Sequence, residues 1–356
     1  MMIDQPRAKE GERSRSAATV PKPHTTSSPD HRSFIHSLLF LGLLTPPHCL
    51  PHSLTPSHPL PHSLTASLPR IMSLDIEDLD ATCGFSRPSK KSPNLSVDAY
   101  THHVFVVAPS DAWIGARDAA LVPGVAGKIV QSLKAAKAEF KQRALQVKIT
   151  FCDQRRGSDG GSSAAEAPVD VIVYPSSTRF SDVQPDHVES IVEYLTNGAS
   201  VVPENLASIS SQYTHQAAFV CGHVGVDKRC GYCGPRIIDG VLAFAAERAT
   251  PIDVYITSHI GGHAYAANLL AFPQGTHSSV RSRLRSAPYL RATRSHTGDW
   301  YGNVAPDMLP SLLELLTSSD ATQREELARS LAPHWRGRIG LSEQQQKDTL
   351  AAWSSS

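Results

Sequence analysis

The chain has 356 residues, 40% of them hydrophobic, enough for one large domain or two ordinary ones with a real core. Its 34 basic and 33 acidic side chains leave a formal net charge of +1, so no global field favours nucleic acid or an anionic membrane. Six scattered cysteines exclude a disulfide scaffold, and no run of roughly eighteen apolar residues offers a membrane span.

Residues 1–71 are rich in Ser, Pro, His and Thr, and L-P-H-S-L-T occurs at 50–55 and again at 60–65. Such a segment buries too little to offset its ordering entropy, so it reads as a disordered low-complexity extension. Its one apolar run, Phe34 to Leu44, follows basic residues in the manner of a targeting address. Weak metal binding by the His-rich repeat is a subsidiary reading. Met72 opens S-L-D-I-E-D-L-D, a clean acidic start, so residues 1–71 also read as upstream sequence foreign to the mature protein.

A first α/β lobe is expected over about 80–202. His103–Ala108 is a β-rich run, Val125, Ile129, Leu133, Ala136 and Phe140 recur at helical spacing, and Gln146–Cys152 alternates as a strand. Strand, helix, strand at this spacing predicts a βαβ unit with a parallel pair. Gly157–Ser163 reads as a loop and Val169–Tyr174 as another strand. Pro185 and Asp186 open a helix with the stripe Val188, Ile191, Val192 and Leu195, closed by Asn197-Gly198. Cys152 reads as a buried thiol, Cys83 as a free surface thiol, and the pair His102-His103 as strand-edge residues.

The order repeats over about 213–320. Gln216–Cys221 reads as a strand, Pro235–Glu247 as a helix with Ile237, Val241, Phe244 and Ala245 inward, and Ile252–Thr257 as a strand. Ala266–Phe272 and Asp299–Val304 read as further strands. Pro306 stands near the start of a helix striped with Leu309, Leu312, Leu313 and Leu316. Strand–helix–strand, then strand–strand–helix, is the thioredoxin order. The fold class is therefore α/β with two thioredoxin-like lobes. Arg281–Arg294 carries five arginines and no acid, either a solvated insert or a docking patch for an acidic redox partner. In the remaining segment, 321–356, Gln323–Leu331 reads as a short helix and the rest as polar tail.

The chemistry gathers at four residues. Cys221 and Cys230 have eight residues between them, and His259 and His263 have three. Two thiolates and two imidazoles form a soft donor set that suits zinc, or an iron–sulfur cluster with two histidines replacing two cysteines. Cys221 and His259 fall at or just after the C-terminal ends of the predicted parallel pair, where chemistry collects in open α/β sheets. Cys230-Gly-Tyr-Cys233 is also a C-x-x-C at a helix start, which makes Cys230 and Cys233 alternative redox thiols. Three readings stand: a 2Fe–2S protein, a thiol–disulfide oxidoreductase, and a structural zinc site. His223 is the substitute should one of the two histidines not be a ligand. Around the set, Arg229 and Lys228 would offset negative charge, Asp227 would hydrogen-bond the loop, and Gly261 and Gly262 would admit close backbone approach.

The runs C-G-H-V-G-V-D-K-R-C-G at 221–231, H-I-G-G-H-A-Y-A-A-N at 259–268 and W-Y-G-N-V at 300–304 resemble the sucrase/ferredoxin-like family. His103-Val104 and the Asp111-Ala-Trp113 run resemble its amino-terminal half. The resemblance covers about 80 to 310. It implies a 2Fe–2S cluster with Cys221 and Cys230 on one iron and His259 and His263 on the other. It implies an electron carrier more than a classical enzyme, in cytosol or mitochondria, served by cluster-assembly machinery and an undefined redox partner protein. The cytosol is the expected location, mitochondria the alternative. Three departures stand out. Val226 occupies a position where the family usually has Arg, and Cys233 is extra. Family members can end in a tryptophan read by cluster-delivery machinery, whereas Trp353 is followed by three serines. No flanking carboxylate pair supports the sugar chemistry of the family's name.

Overall fold

A computed structural model of the protein describes residues 91–118, 121–155, 169–273 and 298–354. Every described residue lies in one compact unit. The readings of the amino-terminal repeat, Cys83, the Gly157–Ser163 loop and the Arg281–Arg294 insert fall outside the described residues.

Short apolar runs, buried on both faces of the sheet, build the central strands. In β1, His102–Val107, Val104 and Val106 face one side of the sheet and Phe105 the other. Helix α1, Gly124–Ala135, covers the first side with Val125, Ile129 and Leu133, and a short α2, Lys137–Gln142, adds Phe140. The single helix that the spacing from Val125 to Phe140 implies thus breaks at Ala136, where ψ is 2°. Strand β2, Val147–Arg155, pairs parallel with β1, completing the βαβ unit. Strands β3, Val169–Tyr174, and β4, Thr178–Val183, follow antiparallel, with β3 on β1 and β4 on β3. Helix α3, Val188–Thr196, ends at Gly198, whose φ of +76° is the left-handed turn expected there. A short β5, Ser210–Gln212, closes this edge.

The second half repeats this plan. Strand β6, Ala217–Cys221, leads into α4, Lys228–Glu247, and β7, Asp253–Thr257, returns parallel to β6. Strand β8, Leu269–Phe272, is antiparallel to β6, and β9, Asp299–Tyr301, is antiparallel to β8. Helix α5, Leu309–Thr317, buries Leu309, Leu312, Leu313 and Leu316 as its stripe predicts, at about 2 kcal/mol each. Each half therefore has the thioredoxin arrangement of a parallel pair flanked by two antiparallel strands. They join through β2 and β7, antiparallel to one another, into one ten-stranded sheet of order β10-β9-β8-β6-β7-β2-β1-β3-β4-β5.

Three sequence readings change. First, β1 lies mid-sheet, so His102 and His103 are not edge residues. His103 is fully buried, its ring stacked 4.0 Å from Phe105, and it shares hydrogen bonds with Thr150 Oγ1 at 2.8 Å and Tyr100 OH at 3.1 Å. Second, α4 begins at Lys228, not Pro235. Asp227 caps it by accepting from the Arg229 N–H at 2.9 Å, and Pro235 is carried inside the helix. Third, the polar tail is folded. After α6, Ala321–Ser330, the chain adds β10, Trp335–Arg338, to β9 and packs α7, Glu343–Ser354, behind it. Trp353 lies edge-to-face on Trp335, with ring centroids 5.1 Å apart.

Candidate functional site

Strand ends create the site. Cys221 is the last residue of β6 and stands opposite Thr257, the last residue of β7, so the segment Ser258–His263 leaves the sheet beside it. On the other flank the Cys221 N–H donates to Asn268 O at 3.0 Å. Cys230 lies in the first turn of α4, fully buried and facing Cys221. The helix comes this close because residue 234 is glycine: a Cβ there would collide with the carbonyl oxygen of Cys221.

Cys221 and Cys230 are both free and buried. The Cys230 thiol donates to the Cys221 sulfur and thereby holds Cys221 well below its ordinary range. Burial opposes this, but the His259 imidazole and the backbone N–H groups of His223 and Ile260 add to it. Cys230 is correspondingly pushed up, first by its bond to Cys221 and then by burial. The pocket is thus built to hold a thiolate, the form of cysteine that binds metal. His259 Nδ1 is buried with no hydrogen-bond partner among the described residues. His263, exposed on the turn His263–Tyr265, has its ring centroid 5.7 Å from that of His259.

Among the described residues no three His, Cys, Asp or Glu side chains converge on a single ion position. The donors come instead as a cysteine pair and a histidine pair. Two thiolates and two imidazoles are donors that either iron or zinc accepts. With the orphaned His259 nitrogen and the poised Cys221 sulfur, the donor set fits a 2Fe–2S group.

His223 has another task. Its Nδ1 accepts from the His259 N–H at 2.8 Å and its Nε2 donates to Ala116 O at 2.6 Å. Burial keeps the ring neutral, as that bonding pattern demands. Gly225 N–H also donates to Ile114 O at 3.0 Å, so the first lobe pins the Cys221–Cys230 loop. Asp227 closes on Arg229 through Nε at 3.1 Å and Nη2 at 2.9 Å. Partial burial pushes the Asp227 carboxyl up, but Arg229 outweighs it and holds the group below its usual range. Gly261 and Gly262 have φ of +95° and +72°; a Cβ at Gly262 would strike the guanidinium of Arg336. Cys233 is buried and disulfide-bonded while Cys230 is free, so the two halves of the C-x-x-C are not joined to each other.

Sequence reasoning missed Arg336, Ser96 and Asn268. Asn268 closes the H-I-G-G-H-A-Y-A-A-N run. Arg336 sits in W-R-G-R, an apolar and basic island in a segment otherwise read as tail.

A profile of sucrase/ferredoxin-like proteins matches residues 93–337, most of the chain. This protein belongs to the sucrase/ferredoxin-like family. "Altered inheritance of mitochondria protein 32" of Debaryomyces hansenii is 32% identical over 95 residues, 27% of this chain and 28% of that protein. The protein of the same name from Candida glabrata is 26% identical over 166 residues, 38% of this chain and 48% of its own. "Actin patches distal protein 1" of Saccharomyces cerevisiae is 22% identical over 165 residues, 41% and 46% of the two chains. These matches span less than half the length of each relative. A solved thioredoxin-like [2Fe–2S] ferredoxin from Aquifex aeolicus is 23% identical, covering 30% of this chain and 90% of its own, with a TM-score of 0.20. No helix among the described residues is long and apolar enough to cross a membrane.

Proposed function

We propose that this protein is a 2Fe–2S protein that moves single electrons, with Cys221 and Cys230 on one iron and His259 and His263 on the other. The observation that carries the reading is the buried Cys221–Cys230 pair at the end of β6, beside the segment that leaves β7 with His259 and His263. The cluster would supply one-electron chemistry. The chain's residues supply a dry pocket for the cysteine pair and an exposed histidine, His263, at the surface where a redox partner protein would approach. Family membership supports the cluster, and the names of the relatives support a role connected with mitochondria.

The test is iron, acid-labile sulfide, zinc and visible absorbance of the full chain purified without oxygen. About two iron and two sulfide per chain, with a charge-transfer spectrum, are expected. A colourless zinc protein would establish the structural-zinc reading instead. A metal-free protein that reduces disulfides would establish the thiol reading, which the free state of Cys230 beside a disulfide-bonded Cys233 does not favour.

A further inference from the structure

Arg336 is the buried cation of this site. It comes from β10, at the far edge of the sheet, and is 2% exposed. Its Nε donates to Ser96 Oγ at 2.9 Å, and its Nη1 donates to Asn268 Oδ1 at 2.7 Å and Gly261 O at 3.3 Å. Asn268 in turn donates through Nδ2 to Gly262 O at 3.0 Å. Arg336 and Asn268 together therefore grip both glycines of the hairpin that joins His259 to His263. The guanidinium carbon lies 5.2 Å from the Tyr265 ring centroid and 5.5 Å from that of Trp300.

No carboxylate among the described residues pairs with Arg336. The acidic groups whose charge it feels are the Tyr265 and Tyr100 phenols and the Cys221 and Cys230 thiols. Burial pushes its pKa down to about 10, so it remains charged at neutral pH. A buried charge without a counter-charge is strongly unfavourable. The Arg336 guanidinium instead reaches the hairpin between His259 and His263, through the Gly261 carbonyl.

We infer that Arg336 is the positioning and charge-compensating residue of the electron-transfer site: it holds the His259–His263 hairpin and balances the negative charge that arrives with the electron. The inference rests on the proposed cluster. Two thiolates offset the two positive charges of an oxidised 2Fe–2S core, and neutral imidazoles add none. One electron from an external one-electron donor protein leaves one net negative charge, and no bond forms or breaks. A fixed cation in a low-dielectric pocket favours that reduced state.

The experiment is a redox titration of the cluster-loaded full chain, with thermal unfolding alongside. Arg336→Gln is expected to lower the reduced-to-oxidised ratio at a fixed solution potential by about tenfold. Arg336→Lys is expected to restore most of that ratio, because the charge remains, while Tm stays low because the forked hydrogen bonds are gone. Should Arg336→Gln not fold, Asn268→Ala releases Nη1 without removing the charge and is expected to lower the ratio by a smaller factor. Equal potentials in the wild type and all variants, whatever their Tm, overturn the inference and leave the cluster reading standing. Absence of iron and sulfide from the wild type overturns the cluster reading itself, and this inference with it.

Discussion

The backbone N–H of His259 donates to Nδ1 of His223, 36 residues earlier, at 2.8 Å. That bond joins the end of β7 to the loop after β6, and the other nitrogen of His223 ties both to Ala116 in the first lobe. The amino-terminal lobe is therefore part of the site without supplying a donor to it. His223→Ala should leave two buried backbone groups unpaired and lower stability by about 1–3 kcal/mol. The position and shape of the visible bands should be unchanged in the fraction of protein that folds, read by absorbance per iron. Loss of the bands at full folding would make His223 a ligand in place of His259 or His263.

Serine does not replace a thiolate well on iron, so Cys221→Ser and Cys230→Ser should each abolish the absorbance. Cys233 is engaged in a disulfide and lies one helical turn beyond Cys230, so Cys233→Ser should keep the spectrum. Iron content and absorbance of the three variants decide the ligand set. Bleaching by Cys233→Ser, with Cys221→Ser still coloured, would refute it.

Acid should unfold this protein through its buried histidines. Burial, helped by the charge of Lys148, holds His103 well below its ordinary value of 6.5, and burial also lowers His102. In the unfolded chain both rings take up protons near pH 6.5, whereas in the folded chain they stay neutral until a lower pH. The unfolded state then binds more protons, so stability is full above about pH 6.5 and is lost as pH falls below it. Thermal melts from pH 8 to about pH 5 should show this decline, and His103→Asn should flatten it. A melting curve equally steep in that variant would assign the acid sensitivity elsewhere.

Helix α7 should be needed for the site although it touches no candidate ligand. Trp353 is 6% exposed and packs on Trp335, and the Gln346 Oε1 accepts from the Arg338 N–H at 3.3 Å, so α7 backs the strand that carries Arg336. Trp353→Ala should cost about 3–5 kcal/mol, read by chemical denaturation. It should also reduce the iron retained after gel filtration. A Trp353→Ala variant of unchanged stability would show that α7 is dispensable.

Local pattern determined much of this protein. The β-rich run His103–Ala108, the apolar run before Cys221, helical stripes at Ile129–Leu133 and Leu309–Leu316, and the spacing of Cys221, Cys230, His259 and His263 are all consequences of neighbours along the chain. They gave the α/β class and put Cys221 and His259 at or just beyond strand ends. Strand β4 escaped because only Thr178, Phe180 and Val183 of its six residues are buried, and polar residues fill the rest. Tertiary structure alone decided the contacts between segments far apart in sequence. That β2 and β7 fuse two lobes into one sheet depends on long-range pairing. That His103 is core depends on strands laid on both its flanks, and no periodicity encodes which strand ends up central. Arg336 lies 75 residues from the Gly261 carbonyl it grips. In a polar segment an arginine reads as solvated, because sequence does not reveal what will be folded over it. Burial made that charge consequential, and burial is a property of the assembled sheet.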